Sequence, residues 1–190
     1  MSSQNQLLLD IYKDSRTVFT MPAIALSPWA EKESRASLLQ KLNYYARNGS
    51  LLNLRRGLYA KKGYRPEEVA CSLFAPSYLS LEYVLQRSGV VFQYDEALSC
   101  VSYLSRSLEI EGREYGFRKI KNGILIDNQG IVSKGNLNIA TAERAFLDMV
   151  YLESSYHFDN PSALDKEKVY ALLPIYNCRK MEKRVAQIIG

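Results

Sequence analysis

The sequence predicts an α+β protein in two parts: an N-terminal winged helix-turn-helix over residues 1–63, then a mixed α+β domain over residues 64–190. Three observations predict it. Periodicities over the first sixty residues run helix, strand, helix, helix, hairpin. Nine cations and two acids lie between Glu31 and Arg65, a local net of +7 in a chain whose total is +5, so the remainder sums to −2. After Lys62-Gly63 the composition changes, and a new helix opens at Pro66.

Leu7, Leu8, Ile11 and Tyr12 recur at helical spacing, and Asp14-Ser15 ends that helix. Thr17-Val18-Phe19 is β-branched and aromatic, enough for one short strand. Thr20 before Met21-Pro22 reads as an N-cap with Pro in the first turn of a brief helix that stops before Pro28-Trp29. Ser34 caps a longer helix, with Leu38, Leu39, Leu42, Tyr45 and Ala46 at core spacing and Asn48-Gly49 as a left-handed stop. At about 100° per residue the opposite face carries Ser37, Gln40, Lys41, Tyr44 and Arg47. Residues 51–54 and 58–60 are two strands joined by Arg55-Arg56-Gly57, where glycine supplies the positive φ of a tight turn. That hairpin is the wing.

In the second part, Pro66-Glu67-Glu68 starts a helix to about Phe74, its acids suiting the positive end of the helix dipole. Ser80 caps a helix ended by Gly89, and Val90 to Phe92 reads as a strand. Val101 and Tyr103, then Tyr115 and Phe117, alternate on either side of a Glu111-Gly112 turn. Residues 122–139 are short apolar pieces cut by Gly123, Asn128, Gly130 and Gly135, and no single pattern bounds them. Thr141 caps a helix with Ala142, Ala145, Phe146, Met149 and Val150 on one face and Arg144 and Asp148 as an i,i+4 pair. Helices over about 166–173 and 179–189 complete the chain.

Composition narrows the function. No apolar run reaches membrane-spanning length, the first residues lack a signal-peptide pattern, and Cys71, Cys100 and Cys178 are odd in number and unpatterned. A reduced, cytoplasmic protein is expected. His157 is the only histidine, with no Cys at ligand spacing, and no phosphate-cradling glycine loop or nucleophile elbow occurs. No enzyme activity, metal or cofactor is expected.

What remains is polyanion binding. In a helix-turn-helix the second helix of the motif enters the major groove, which brings Arg35, Ser37, Gln40 and Lys41 to base edges, with Tyr44 and Arg47 on the same polar face. Arg55, Arg56, Lys61 and Lys62 would meet phosphates or the adjacent minor groove. Double-stranded DNA, with two copies on an inverted repeat, is the expected partner. A solvated cationic face, or one that docks on an acidic protein, is the other class open to these residues.

Three stretches also carry a family resemblance. They are Gly49-Ser50-Leu51 running into Leu54-Arg55-Arg56-Gly57-Leu58-Tyr59-Ala60, then Tyr78-Leu79-Ser80-Leu81-Glu82-Tyr83-Val84-Leu85 with Gly89-Val90, and Ile139-Ala140-Thr141-Ala142-Glu143-Arg144-Ala145-Phe146-Leu147-Asp148. In this order they resemble the AbiEi-like antitoxins of type IV toxin-antitoxin and abortive-infection systems. Ala142 departs from the Pro usual there. The resemblance implies a winged-helix domain that represses its own operon and an α+β domain that opposes a nucleotidyltransferase-type toxin. A stand-alone regulator without a toxin is the alternative.

Overall fold

The computed structural model describes residues 3–31 and 33–190 and divides the chain into two units, Met1–Ser72 and Leu73–Gly190. The fold is mixed α+β.

The first unit contains α1 (Ser3–Lys13), β1 (Val18–Thr20), α2 (Met21–Ala25), α3 (Arg35–Arg47), β2 (Leu52–Arg55), β3 (Leu58–Ala60) and most of α4 (Pro66–Leu73). Both predicted caps form. The Thr20 hydroxyl accepts from Ala23 N at 3.3 Å and starts α2; the Ser34 hydroxyl accepts from Ser37 N at 3.2 Å and starts α3. β3 is the middle strand of an antiparallel sheet ordered β1-β3-β2. Between β2 and β3 the chain turns through Gly57 at φ +78°, and the register shifts between Asn53 and Arg55. The Gly57 carbonyl accepts from Met21 N at 2.8 Å, which ties the turn to α2. Leu7, Ile11, Phe19, Ile24, Leu38, Leu42 and Tyr45 pack beneath as one apolar core.

The division falls nine residues beyond the expected boundary at Gly63. Glu68 of α4 explains the shift. Its carboxylate is wholly buried and accepts from Thr17 N at 2.7 Å and Val18 N at 3.0 Å, while Arg65 N donates to the Thr17 hydroxyl at 2.9 Å. A helix bonded in this way to the start of β1 belongs to the first unit.

The second unit runs β4 (Ser77–Leu79), α5 (Leu81–Arg87), β5 (Leu98–Ser102), β6 (Arg106–Ile110), β7 (Arg113–Lys119), α6 (Asn122–Leu125), β8 (Ile131–Lys134), β9 (Leu137–Ala140), α7 (Ala142–Leu152), α8 (Lys166–Leu172) and α9 (Arg179–Ile189). Its sheet is mixed, in the order β6-β7-β5-β4-β9-β8. The central β4 pairs antiparallel with β5 and parallel with β9. Residues 90–92, expected as a strand, form none. Their polar groups are used elsewhere: Val90 N donates to Leu85 O at 3.0 Å, Val90 O accepts from Asn160 N at 3.0 Å, and Phe92 N donates to the Asp159 carboxylate at 2.8 Å.

The Arg144–Asp148 pair forms, but in the interior rather than at a helix surface, with both side chains at 0% exposure. Asp148 accepts from Tyr176 OH at 2.6 Å, Ser80 Oγ at 2.7 Å and Tyr78 OH at 3.2 Å. Arg144 donates to Ile124 O at 2.7 Å and Gln129 O at 2.8 Å. This network joins α7 to β4, to the start of α5, to α6 and to the turn after it, pairing charges and hydroxyls that would be costly to bury alone, with Arg144 Nε 3.5 Å from the Asp148 carboxylate. Complete burial pushes the Asp148 carboxyl above its ordinary value, against the pull of Arg144 and the three hydroxyls.

Candidate nucleic-acid interface

Charge divides sharply between the units. Residues 1–72 hold eleven Lys or Arg and six Asp or Glu, whereas residues 73–190 hold fourteen of each, so the net +5 belongs entirely to the first unit. Arg35, Gln40, Tyr44 and Arg47 of α3 are exposed, as are Arg55, Arg56 and Lys62 in and after the hairpin. Among the described residues none of these five cations is in an ion pair. Lys32, also counted in the basic stretch, lies outside the described residues.

Three expected site residues are committed to other partners. Lys61 is only 9% exposed. Its ammonium donates to Asp14 O at 2.5 Å and Tyr12 O at 3.3 Å and lies over the Tyr12 and Phe19 rings, so, contrary to expectation, it anchors the first unit internally and is not part of the exposed cationic face. Burial holds its pKa below the ordinary lysine value. Glu33 engages the other two: Ser37 Oγ donates to one of its oxygens at 2.6 Å, and Lys41 forms an ion pair with the other. Those hydrogen bonds, from Lys41 first and then Ser37, hold the Glu33 carboxyl below its ordinary value.

The open face of α3 is therefore rotated from the one expected. Leu38, Leu42 and Tyr45 are the buried residues of the helix, while Leu39, expected in the core, is 41% exposed. Arg35, Leu39 and Asn43, one turn apart, line a cleft of about 550 Å³ that is completed by Met21 and Pro22 of α2 and by Asn53, Arg56 and Tyr59 of the hairpin. Tyr59 OH donates to Asn43 Oδ1 at 3.3 Å across it. Arg35 and Arg56 thus belong to one cleft although 21 positions separate them in the chain. Leu39, Asn43 and Asn53 were missed by periodicity, which took Leu39 for core and gave the asparagines no role. The i, i+4, i+8 spacing of Arg35, Leu39 and Asn43 was the available signal.

Among the described residues no group of three or more His, Cys, Asp or Glu is gathered as a metal site, and no helix is long and apolar enough to cross a membrane.

No protein-family model and no curated protein matches the sequence. Among solved structures, the crystal structure of the RV2827C protein from Mycobacterium tuberculosis is similar, with a TM-score of 0.54 over 98% of this chain and 76% of that one, at 12% sequence identity. That likeness is one of fold.

Proposed function

We propose that the first unit is a winged helix-turn-helix that binds double-stranded DNA, with α3 in the major groove and the β2–β3 hairpin as the wing. The observation that carries the reading is the exposed set Arg35, Arg47, Arg55, Arg56 and Lys62, free of ion pairs among the described residues and arranged on α3 and around the hairpin. Cations on the hairpin displace counterions from phosphates, and the open face of α3 reads base edges. Two copies on an inverted repeat would occupy a promoter and repress it. The resemblance described above extends this reading to an autoregulating antitoxin in the cytoplasm, whose second unit opposes a nucleotidyltransferase-type toxin.

Fluorescence anisotropy across a salt series tests the reading, with DNA from upstream of the protein's own gene beside a scrambled duplex. Native DNA should bind at least about a hundredfold more tightly. Arg55→Ala with Arg56→Ala should weaken both and lower the log–log salt slope by up to about two. An unchanged slope would remove the hairpin from the interface, and weak binding indifferent to sequence would assign the basic face to an acidic protein. The antitoxin role needs a different readout: a neighbouring gene whose product arrests growth alone should cease to do so when this protein is co-expressed.

A further inference from the structure

We infer that Leu39 reads DNA sequence, by packing against the C5-methyl group of a thymine in the major groove. The inference rests on the DNA-binding reading and goes beyond it, because it assigns one base identity to one side chain.

Leu39 sits between Arg35 and Asn43 on the cleft-facing side of α3, about 6 Å along the helix from each. All three therefore face the same way and span about three to four base pairs at 3.4 Å per step. The flanking side chains are polar. Arg35 carries a guanidinium suited to guanine O6 and N7. Asn43, whose Oδ1 is engaged by Tyr59 OH, has its amide NH₂ left to donate to groove acceptors.

Leu39 can neither donate nor accept, and its 41% exposure leaves apolar surface in water between the polar Arg35 and Asn43 of α3, in a cleft that Met21 and Pro22 of α2 also line. It adds little to the core, which α3 enters through Leu38, Leu42 and Tyr45, each at 1% exposure or below. The apolar group that ordinary B-DNA presents in the major groove is the thymine methyl, and a leucine there gains by covering it. The net +5 of the unit and the two arginines of the cleft match a phosphate-lined duplex rather than an apolar protein surface.

The test removes the methyl group and nothing else. A duplex is first selected from a randomised library with the full-length protein. Each thymine is then replaced in turn by deoxyuridine, and binding is measured by anisotropy. One or two positions should lose about fourfold in affinity, the worth of one buried methyl group. With Leu39→Ala, its folding checked by thermal melting, those positions should lose their sensitivity to the replacement.

Tight sequence-selective binding with no deoxyuridine effect at any position, or a selected site without thymine, would overturn the inference while leaving DNA binding intact. A penalty that persists in Leu39→Ala would do the same. Failure to select any sequence would overturn the DNA reading itself, and this inference with it.

Discussion

Asp14 shows how a single side chain shapes the first unit through local pairing alone. Its carboxylate accepts from Arg16 Nε at 3.0 Å and pairs with the guanidinium at 2.6 Å, and this hydrogen bonding holds the carboxyl below its ordinary value. A depressed carboxylate stabilises the fold fully above the unfolded value of about 4, and that stabilisation disappears as pH falls through the depressed folded value. Glu33 behaves alike, through Lys41 and Ser37. Urea midpoints measured from pH 5 down to pH 2 should therefore fall as the pH drops below about 4. Asp14→Asn should flatten part of that decline. An identical acid profile in wild type and variant would show that the Asp14–Arg16 pair adds nothing. The same local pairing explains why Ser37 and Lys41 could not be judged from spacing alone. Glu33 precedes the helix, and the cap at Ser34 turns the chain so that its carboxylate meets both side chains.

Among elements, those begun by a side-chain cap or closed by a glycine turn were legible in the sequence: α2 from Thr20, α3 from Ser34, α7 from Thr141, and the hairpin at Gly57. Their signals are local. β4 was not legible, because three residues cannot display a period and its partners are remote, Leu79 pairing with Cys100 on one side and Ile139 on the other. The open face of α3 was half legible. Three leucines at positions 38, 39 and 42 are compatible with two core directions, and only packing against α1, β1 and α2 selects one. Among the glycine-cut pieces of residues 122–139, Gly130 has the clearest structural role. It adopts φ +73°, and a Cβ there would lie 3.0 Å from both Arg144 Cβ and Leu172 Cδ1. The Arg144 stem cannot yield freely, since its guanidinium is bonded to Ile124 and Gln129. Gly130→Ala should cost about 2 kcal/mol or more through backbone strain and crowding together. Gly123→Ala, inside α6 at a position with open space and no positive φ, should be neutral or stabilise by up to about 1 kcal/mol. Equal melting temperatures for the two variants would contradict this account.

At the scale of the whole molecule, the basic character and the candidate interface lie in one unit, and the neutral unit is built around a buried ionic network. Where the chain is divided matters for any attempt to isolate the basic part. A fragment of residues 1–63 lacks Glu68 and so deprives Thr17 N and Val18 N of their carboxylate acceptor. Loss of such charge-assisted bonds costs about 1.5–3 kcal/mol for each bond, a large share of a small domain's stability. A fragment of residues 1–74 should consequently melt at a higher temperature than one of residues 1–63 by circular dichroism; coincident curves would return the boundary to Gly63. The burial of Lys61 beside exposed Lys62 gives this unit a built-in reporter. An amine-acylating reagent should modify Lys62 in the native protein and spare its neighbour until the carbonyls of Tyr12 and Asp14 let go. The ratio of singly to doubly acylated peptide, read by mass spectrometry, would then measure how often the unit opens, even in a crowded lysate where no spectroscopic signal could be followed.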